Sequence, residues 1–554
     1  MIDQIKSKYI EEWVKYFSEI TEHNYEEPKH SWFVLEDRTW PWKRIDKAPI
    51  WASVDLRDWN QSIEKPMTIE QKLELFNILI NMWFKEIEIW FPSASQEDYD
   101  FTRKLIEENR IPDWVKIGVL TQARWNLIKK TRESLEWAKN VIVHLYNSTS
   151  EVQREIVFEK SKGEIIKLAE YWIDEIKKNF SDFEWNIQLE YSPESFTWTE
   201  IEFAKDISNA VINKWDNFWK QDIILNLPST IENSTPDVYA DKIEYFVREF
   251  KYNRKKTNDA VNIIISIHPH NDRWTAVASA EFALKAWADR IEWTLLGNWE
   301  RTWNVSNDIL ALNMMSQWIN PELNFSNWWE YSEIISKIID IKVPDRYPYI
   351  WRFVNLAFSG SHQDAIKKCF DFCKDKTWKW VNAYLPFNPE HIWLKYEPVK
   401  INSQSGKWWT AYILQQNWYE IPKTIQSFIQ VKIQKRADEE KRMLESKEIV
   451  RIFEEEFINN IWKIDYSDFD ENNFKWKWII ENFSKYISKK LNIEFKIKLY
   501  EQKAISEWKD SDAISYFIIE IDWKEFIWIW KDTDILEASK KWLISGINNF
   551  IKNK

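Results

Sequence analysis

Glycine is almost missing from this chain. It has 6 glycines in 554 residues, where average usage would give roughly 39. Left-handed turns and close backbone approaches normally fall to glycine, and a chain of this length needs many of them. The sequence has no glycine-rich phosphate loop and no dinucleotide fingerprint, which removes the usual nucleotide-binding signatures. Cysteine is scarce too. Cys369 and Cys373 are the only two, and they give no disulfide framework. They lie four apart on a predicted helix and are expected to be ordinary thiols. Basic charge is in deficit: 76 Lys and Arg face 88 Asp and Glu, for a net charge of -12 and a pI near 5.4. That argues against nucleic-acid backbones and anionic membranes as partners. No run of 18 apolar residues occurs, and the stretch MIDQIKSKYIEEW does not read as a signal peptide. A cytoplasmic protein is therefore expected.

Tryptophan is what the chain has in excess, with 39 copies. Glycine and tryptophan together make about 8% of the residues, a normal share for glycine alone. The positions of the tryptophans matter more than their number.

The length calls for two or three domains. Residues 1–48 form a polar N-terminal extension, helical over Gln4–Ile20 and loop-like through Pro28 and Pro41. From Trp51 a regular alternation begins. Strand-like runs sit at 51–56, 85–90, 115–120, 140–145, 185–191, 222–227, 262–268 and 289–295. Amphipathic helical stretches separate them, at 68–82, 96–109, 125–138, 151–179, 199–215, 234–251 and 272–287, and an eighth follows at 304–317. Alternating strand and helix implies a parallel sheet. Eight such units over residues 49–325 predict a (β/α)8 TIM barrel, with a doubly wound open sheet as the alternative.

Active sites in this barrel lie at the C-terminal ends of the strands, and the reactive residues cluster there. Arg57 and Asp58 follow the first strand. His144, Tyr146 and Asn147 end the fourth, and Ser192, Glu194 and Ser195 the fifth. Asn226 and Thr230 end the sixth, and Asn304 comes after the eighth. The seventh run is the most informative: Asn262–Ile267 is a buried-strand pattern that leads into His268-Pro269-His270-Asn271-Asp272. Residues two apart on an extended segment point the same way, so His268 and His270 can share one cation. An HxH by itself is equally the mark of two solvated loop histidines.

Beyond residue 325 the pattern changes. Residues 326–435 read as mostly helical linker subdomains, and 431–460 as one charged helical stretch. Residues 436–554 form a C-terminal domain that is strand-rich at 493–500, 514–522 and 525–530, with a helix at 535–552.

The stretches SVDLRDWNQ, WFPSASQ, HLYNSTS, EYSPESFTWTE, LNLPST, HPHNDRWTA, LLGNWERTWN, FSGSHQDA and NSQSGKWW together resemble the 2-isopropylmalate synthases of the type 2 bacterial form, from about residue 30 to the end. The resemblance implies an acyltransferase: a Claisen-type condensation of acetyl-CoA with 2-oxoisovalerate, at the entrance to leucine biosynthesis. It implies a divalent metal, Mg2+, Mn2+ or Zn2+, held by Asp58, His268 and His270, with Asn304 as a fourth ligand. Two histidines and a carboxylate also describe non-haem iron oxygenases, and Asp58 can equally be a structural salt bridge to Arg57. Arg57 is implied to steady the developing alkoxide. His144, Ser192, Thr230 and Glu194 surround the keto acid, although Glu194 can also pair with Arg57 and Thr230 can cap the following helix. His362 is implied as the base or its relay, with Tyr396 nearby. The family's linker region reaches onto a second subunit, so a homodimer is expected. The C-terminal domain resembles the family's regulatory domain, where L-leucine is the feedback inhibitor.

The family pattern has glycine where this chain has Trp59, Trp83, Trp90, Trp198, Trp274, Trp287, Trp293, Trp299, Trp303, Trp408 and Trp409, and true tryptophan at positions like Trp40 and Trp51. The expectation is that most of these tryptophans are misread glycines. The simplest cause is a UGA codon written as Trp that the source organism decodes as glycine. Two rival expectations stand beside this one: a homocitrate or citramalate synthase of the same superfamily, or, if the tryptophans are real, a non-catalytic paralogue or aromatic-rich binding protein.

Overall fold

Eight parallel strands close on themselves in sequence order: β1 (Ile50–Ser53), β2 (Glu86–Glu88), β3 (Lys116–Thr121), β4 (Asn140–Ser148), β5 (Asn186–Glu194), β6 (Ile223–Ser229), β7 (Ile263–Pro269) and β8 (Arg290–Trp293). β8 returns to pair with β1, Ala52 opposite Glu292, so the sheet has no edge. The fold is a (β/α)8 barrel. The computed structural model describes residue 15 and residues 32–121, 125–215, 222–253, 262–298, 301–350, 354–357, 359–374, 380–392, 394, 407–417, 419–442, 444–458, 479–504 and 513–532.

The outer helices begin where their sequences supply caps. Thr68 and Gln71 form a capping box before Ile69–Asn81, and Ser161 and Glu164 form another before Lys162–Asn179. Ser95 accepts from the Asp98 amide at the start of Gln96–Glu107. Each cap satisfies amide donors that the first turn leaves open. Their apolar stripes, such as Leu75, Phe76 and Leu79, are fully buried against the barrel. Thr230 does not cap the next helix, Pro236–Val247, whose N-cap is Thr235.

β1 ends earlier than its apolar run suggests. Ser53 Oγ donates to Asp55 Oδ2 at 2.6 Å, and Asp55 Oδ1 accepts the Leu295 amide at 2.7 Å. These bonds stop the strand and start the helix Asp55–Ser62, so Arg57 and Asp58 ride on its first turn rather than on a strand end.

Chain contacts divide the described structure into two compact units: residues 1–351 with 392–394, and residues 352–391 with 395–554. In the first, Trp40 Nε1 donates to Asp241 Oδ1 at 2.7 Å and the Thr39 and Trp40 amides donate to Glu244, which ties residues 32–48 to helix Pro236–Val247. In the second, a three-stranded antiparallel sheet, β9 (Lys496–Ala504), β10 (Ala513–Ile521) and β11 (Lys524–Asp532), has β10 in the middle. Ile514, Tyr516 and Ile518 of β10 share an apolar core with Ile429 and Ile433 of helix Gln426–Glu440. The charged stretch expected as one helix over 431–460 is broken, because Lys441 has φ +50° and Ser446–Phe453 starts anew. The helix expected at 535–552 lies outside the described residues. Among the described residues no helix is long and apolar enough to cross a membrane.

Among the described residues, eight tryptophans have positive φ: Trp83 (71°), Trp90 (98°), Trp137 (69°), Trp274 (59°), Trp287 (68°), Trp303 (85°), Trp318 (65°) and Trp523 (62°). Bulky side chains seldom adopt this region, at a cost of roughly 1–2 kcal/mol per residue. Trp318 and Trp523 are also 95% and 93% exposed. Trp59 and Trp293 are fully buried, and their indole N–H groups, like that of Trp198, have no acceptor. Trp40 and Trp51 differ: each is buried and donates at 2.7 Å, to Asp241 Oδ1 and to the Pro321 carbonyl.

Candidate active site

Alternate residues of a strand face the same side, and in this barrel the inward ones grow more polar from bottom to top. Ile142, Ile224 and Ile264 form a small apolar floor. One step up, Arg290 of β8 donates to Glu86 at 2.7 Å, Glu190 at 3.0 Å, Ser266 at 2.8 Å and Glu292 at 2.9 Å. All of these side chains are buried. So much buried charge persists only where it is paired and hydrogen-bonded.

The sequence-implied ligands converge above this layer. His268 Nε2 lies 3.7 Å from Asp58 Oδ2, and Asn304 Nδ2 donates to the same oxygen at 2.6 Å. The rings of His268 and His270 are 5.1 Å apart, centre to centre. His270 faces Asn304 through an isolated antiparallel bridge. Gly297 holds that loop: its φ is +71°, its carbonyl accepts the Asn304 amide at 2.8 Å, and a Cβ there would lie 3.0 Å from the Asn304 carbonyl. Each imidazole turns its Nδ1 to an oxygen, His268 to Glu292 Oε2 at 3.1 Å and His270 to the Thr230 carbonyl at 2.6 Å. The Glu292 carboxylate fixes the His268 proton on Nδ1 and leaves its lone pair on Nε2, whereas His270 Nδ1 also lies 2.6 Å from Arg301 Nη2, which can only donate.

The electrostatics suit a cation. Burial, reinforced by His268, holds His270 well below the usual imidazole range, so it is neutral at pH 7. Burial pushes the Asp58 carboxyl up, against the pull of Arg57 and His268. The Asn304 amide oxygen is buried with no hydrogen-bond donor. A neutral His270 imidazole, the Nε2 of His268, a desolvated carboxylate and an unpartnered amide oxygen are the donor set of a divalent cation. A second cluster lies below: Glu88, His144, Glu190 and Glu292 offer ligand atoms within 4.8 Å of one another and can hold a metal. Its carboxylates already have cationic partners, Glu88 in Arg57 and the other two in Arg290. Asp58 of the upper set is likewise paired, with Arg57, and what the upper set adds is the unpartnered amide oxygen of Asn304.

Beside these ligands opens a cavity of about 270 Å³, lined by Arg57, His144, Ser192, Glu194, Thr230 and His268 among others. Ser192 Oγ bonds His144 Nε2 at 2.7 Å, and His144 Nδ1 meets Glu88 at 3.0 Å. Thr230 Oγ1 accepts the Ser195 amide at 2.9 Å. Glu194 does not pair with Arg57: its carboxylate takes the Ser148 hydroxyl, while Arg57 bridges Asp58 at 3.1 Å and Glu88. A larger cavity, of about 620 Å³, opens among Lys43, Lys85, Trp287 and Asp289 near the N-terminal ends of the strands, away from these groups. His362 sits in the second unit, in the first turn of helix Gly360–Lys374, exposed and with its ring 4.3 Å from that of Tyr384. Tyr396 lies outside the described residues.

Comparison with known proteins bears directly on this site. Residues 48–335 match the HMGL-like family, and residues 352–415 match the family described as alpha-isopropylmalate synthase, post-catalytic domain-like. The 2-isopropylmalate synthase of Clostridium acetobutylicum is 40% identical over 549 residues, covering 93% of this chain and 97% of that one. The chain belongs to the 2-isopropylmalate synthase family. Other relatives bear the same name: that of Acetoanaerobium sticklandii is 47% identical over 79% of this chain and 76% of its own, and that of Corynebacterium efficiens 39% over 94% and 96%.

In this 2-isopropylmalate synthase family member, the barrel residues named from sequence gather at one mouth. What sequence reasoning missed is the charged layer beneath them: Glu88, Glu190, Arg290 and Glu292. A signal for it was present. Glu86 and Glu88 in β2, and Arg290 and Glu292 in β8, alternate with apolar residues inside predicted strands, and a charged residue on the inward side of a barrel strand must have a buried partner.

Proposed function

We propose that the chain condenses acetyl-CoA with 2-oxoisovalerate and releases 2-isopropylmalate and CoA. The observation that carries this reading is the convergence of Asp58, His268, His270 and Asn304 with Arg57 beside a cavity of about 270 Å³, in a chain of this family.

Asp58, His268, His270 and Asn304 would hold a divalent cation, Mg2+, Mn2+ or Zn2+, which would supply Lewis acidity at the keto-acid carbonyl. Arg57 offsets negative charge on the ketone oxygen as it becomes an alkoxide. It is held for this by Asp58 and Glu88, so little reorganisation is needed. His144, Ser192, Thr230 and Glu194 orient the keto acid. His362, with Tyr396, removes the α-proton of acetyl-CoA, and the resulting carbon nucleophile adds to the ketone. Water then cleaves the thioester and frees CoA. The acyl group thus becomes an alkyl group on transfer.

The remaining parts of the reading follow from the family. The chain is cytoplasmic and homodimeric, with the region around His362 completing the site of a partner. L-leucine binds the C-terminal domain as feedback inhibitor. Most tryptophans are glycines in the native protein, through recoding of UGA. The positive φ of Trp83, Trp90, Trp274, Trp287 and Trp303 supports this, as do the unpartnered indoles of Trp59, Trp198 and Trp293. Trp137, Trp318 and Trp523 join the set on backbone geometry alone. Intact-mass and peptide spectra of protein from the native host should show glycine at these positions and tryptophan at Trp40 and Trp51. Tryptophan at Trp90 and Trp303 would refute the recoding.

CoA release with a panel of keto acids tests the activity. The rate with 2-oxoisovalerate should exceed that with pyruvate or 2-oxoglutarate by about tenfold or more. Preference for either of the others would assign the chain to citramalate or homocitrate synthesis, and release with none would end the enzymatic reading.

A further inference from the structure

Glu292 joins the two halves of the described site through a single carboxylate oxygen. Its Oε2 accepts from His268 Nδ1 at 3.1 Å and from Asn226 Nδ2 at 2.9 Å. Asn226 uses the same amide nitrogen to reach Ser192 Oγ at 3.0 Å. Ser192 in turn bonds His144 Nε2 at 2.7 Å, and His144 Nδ1 meets Glu88. Glu88 holds Arg57, and Arg57 holds Asp58, which lies 3.7 Å from His268 Nε2. The links form a closed ring: Glu292, Asn226, Ser192, His144, Glu88, Arg57, Asp58, His268. Every member except Arg57 is buried.

The ring fixes proton positions. The Asn226 amide donates to both Glu292 and Ser192. The Glu88 carboxylate can only accept, so it takes the proton on His144 Nδ1, and Ser192 Oγ donates to His144 Nε2. On the other side a carboxylate at 3.1 Å fixes the His268 proton on Nδ1 as well. The other Glu292 oxygen, Oε1, is held by Arg290 at 2.9 Å, which anchors the carboxylate from below.

We infer that Glu292 is a positioning residue. It sets the tautomer and orientation of His268 toward the cation and, through Asn226, the orientation of Ser192 toward the keto acid. The inference rests on the cation reading given above. Carboxylates placed behind a metal-bound histidine commonly contribute 10–100-fold to metal affinity.

The test is Mn2+ binding, followed by the loss of the free-ion electron paramagnetic resonance signal, on full-length protein without substrates. The variants are Glu292→Gln, Glu292→Asp, His268→Ala and, as a control, Ser266→Ala. Ser266 bonds Arg290 at 2.8 Å and touches no member of the ring in that bond. The expected result is one Mn2+ per chain, lost in His268→Ala, weakened roughly 10–100-fold in Glu292→Gln and unchanged within about twofold in Ser266→Ala. Glu292→Asp keeps the charge but draws it back, and should weaken binding less; it stands in if the Gln variant does not fold. Nitrogen chemical shifts of histidine-labelled protein should show His268 protonated on Nδ1 in the wild type and shifted toward Nε2 in the Gln variant. Wild-type affinity and tautomer in Glu292→Gln, or in Glu292→Asp where the Gln variant does not fold, would overturn the inference, as would equal weakening in Ser266→Ala. Undiminished binding in His268→Ala would overturn the cation reading beneath it.

Discussion

Asp58 Oδ2 and His268 Nε2 lie 3.7 Å apart at the mouth of the barrel, one carried by the helix after β1 and the other by β7. β8 alone separates those two strands in the closed sheet, so closure of the barrel is what brings the pair together. If both side chains grip one cation, Asp58→Ala and His270→Ala should each lower kcat/KM by about a thousandfold or more, since Lewis-acid stabilisation contributes several kcal/mol. The loss should persist at saturating metal. Steady-state CoA release measures it, and a variant within tenfold of wild type would remove that residue from the ligand set.

The tryptophans with positive φ should be a burden on the written chain. Trp90→Gly, at φ 98°, should stabilise the protein by roughly 1–3 kcal/mol through relief of backbone strain. Trp40→Gly should destabilise it by about 3–5 kcal/mol, because a packed ring and a 2.7 Å hydrogen bond to Asp241 are lost. Urea unfolding of the two variants beside the parent decides. Effects of the same sign at both positions would contradict the division.

Much of this was legible before any coordinates. The eight strands show as β-branched runs at regular spacing, because strands buried on both faces must be apolar throughout. Their order gives closure, and closure gives the mouth where His268, His270 and Asn304 meet. Three things were not legible. The early stop of β1 depends on the Asp55 bonds to Ser53 and Leu295, and the second of these partners is far along the chain. The ring through Glu292 depends on register between strands, which composition does not reveal. The region around His362 reads as a helix start, but its place relative to the barrel is not a local property.

Lys242 offers a pH test of the barrel itself. Burial lowers its ammonium from 10.5 to about 7, and its Nζ donates to the Thr197 carbonyl at 3.0 Å. Between about pH 7 and 10.5 the unfolded chain holds this proton and the folded chain releases it. Stability should therefore rise with pH across that window, by on the order of 1.4 kcal/mol per unit of displacement. Lys242→Met should flatten the rise and stabilise the protein at pH 7. Unfolding free energies at pH 7 and 9.5 check this, and parallel pH profiles for the two proteins would contradict it.

Feedback control should be separable from catalysis. The full chain should lose CoA release on titration with L-leucine, and removal of residues 470–554, which include β9, β10 and β11, should abolish that response. A truncated chain still inhibited by leucine would move the effector site elsewhere.

The most direct measurement is CoA release from acetyl-CoA and 2-oxoisovalerate by metal-stripped protein as Mn2+ is returned, with Asp58→Asn run alongside. The expected result is no release without metal, full release at one equivalent per chain, and no restoration in the variant. Release at full rate from metal-free protein, or equal restoration of Asp58→Asn, would contradict a cation held by Asp58, His268, His270 and Asn304.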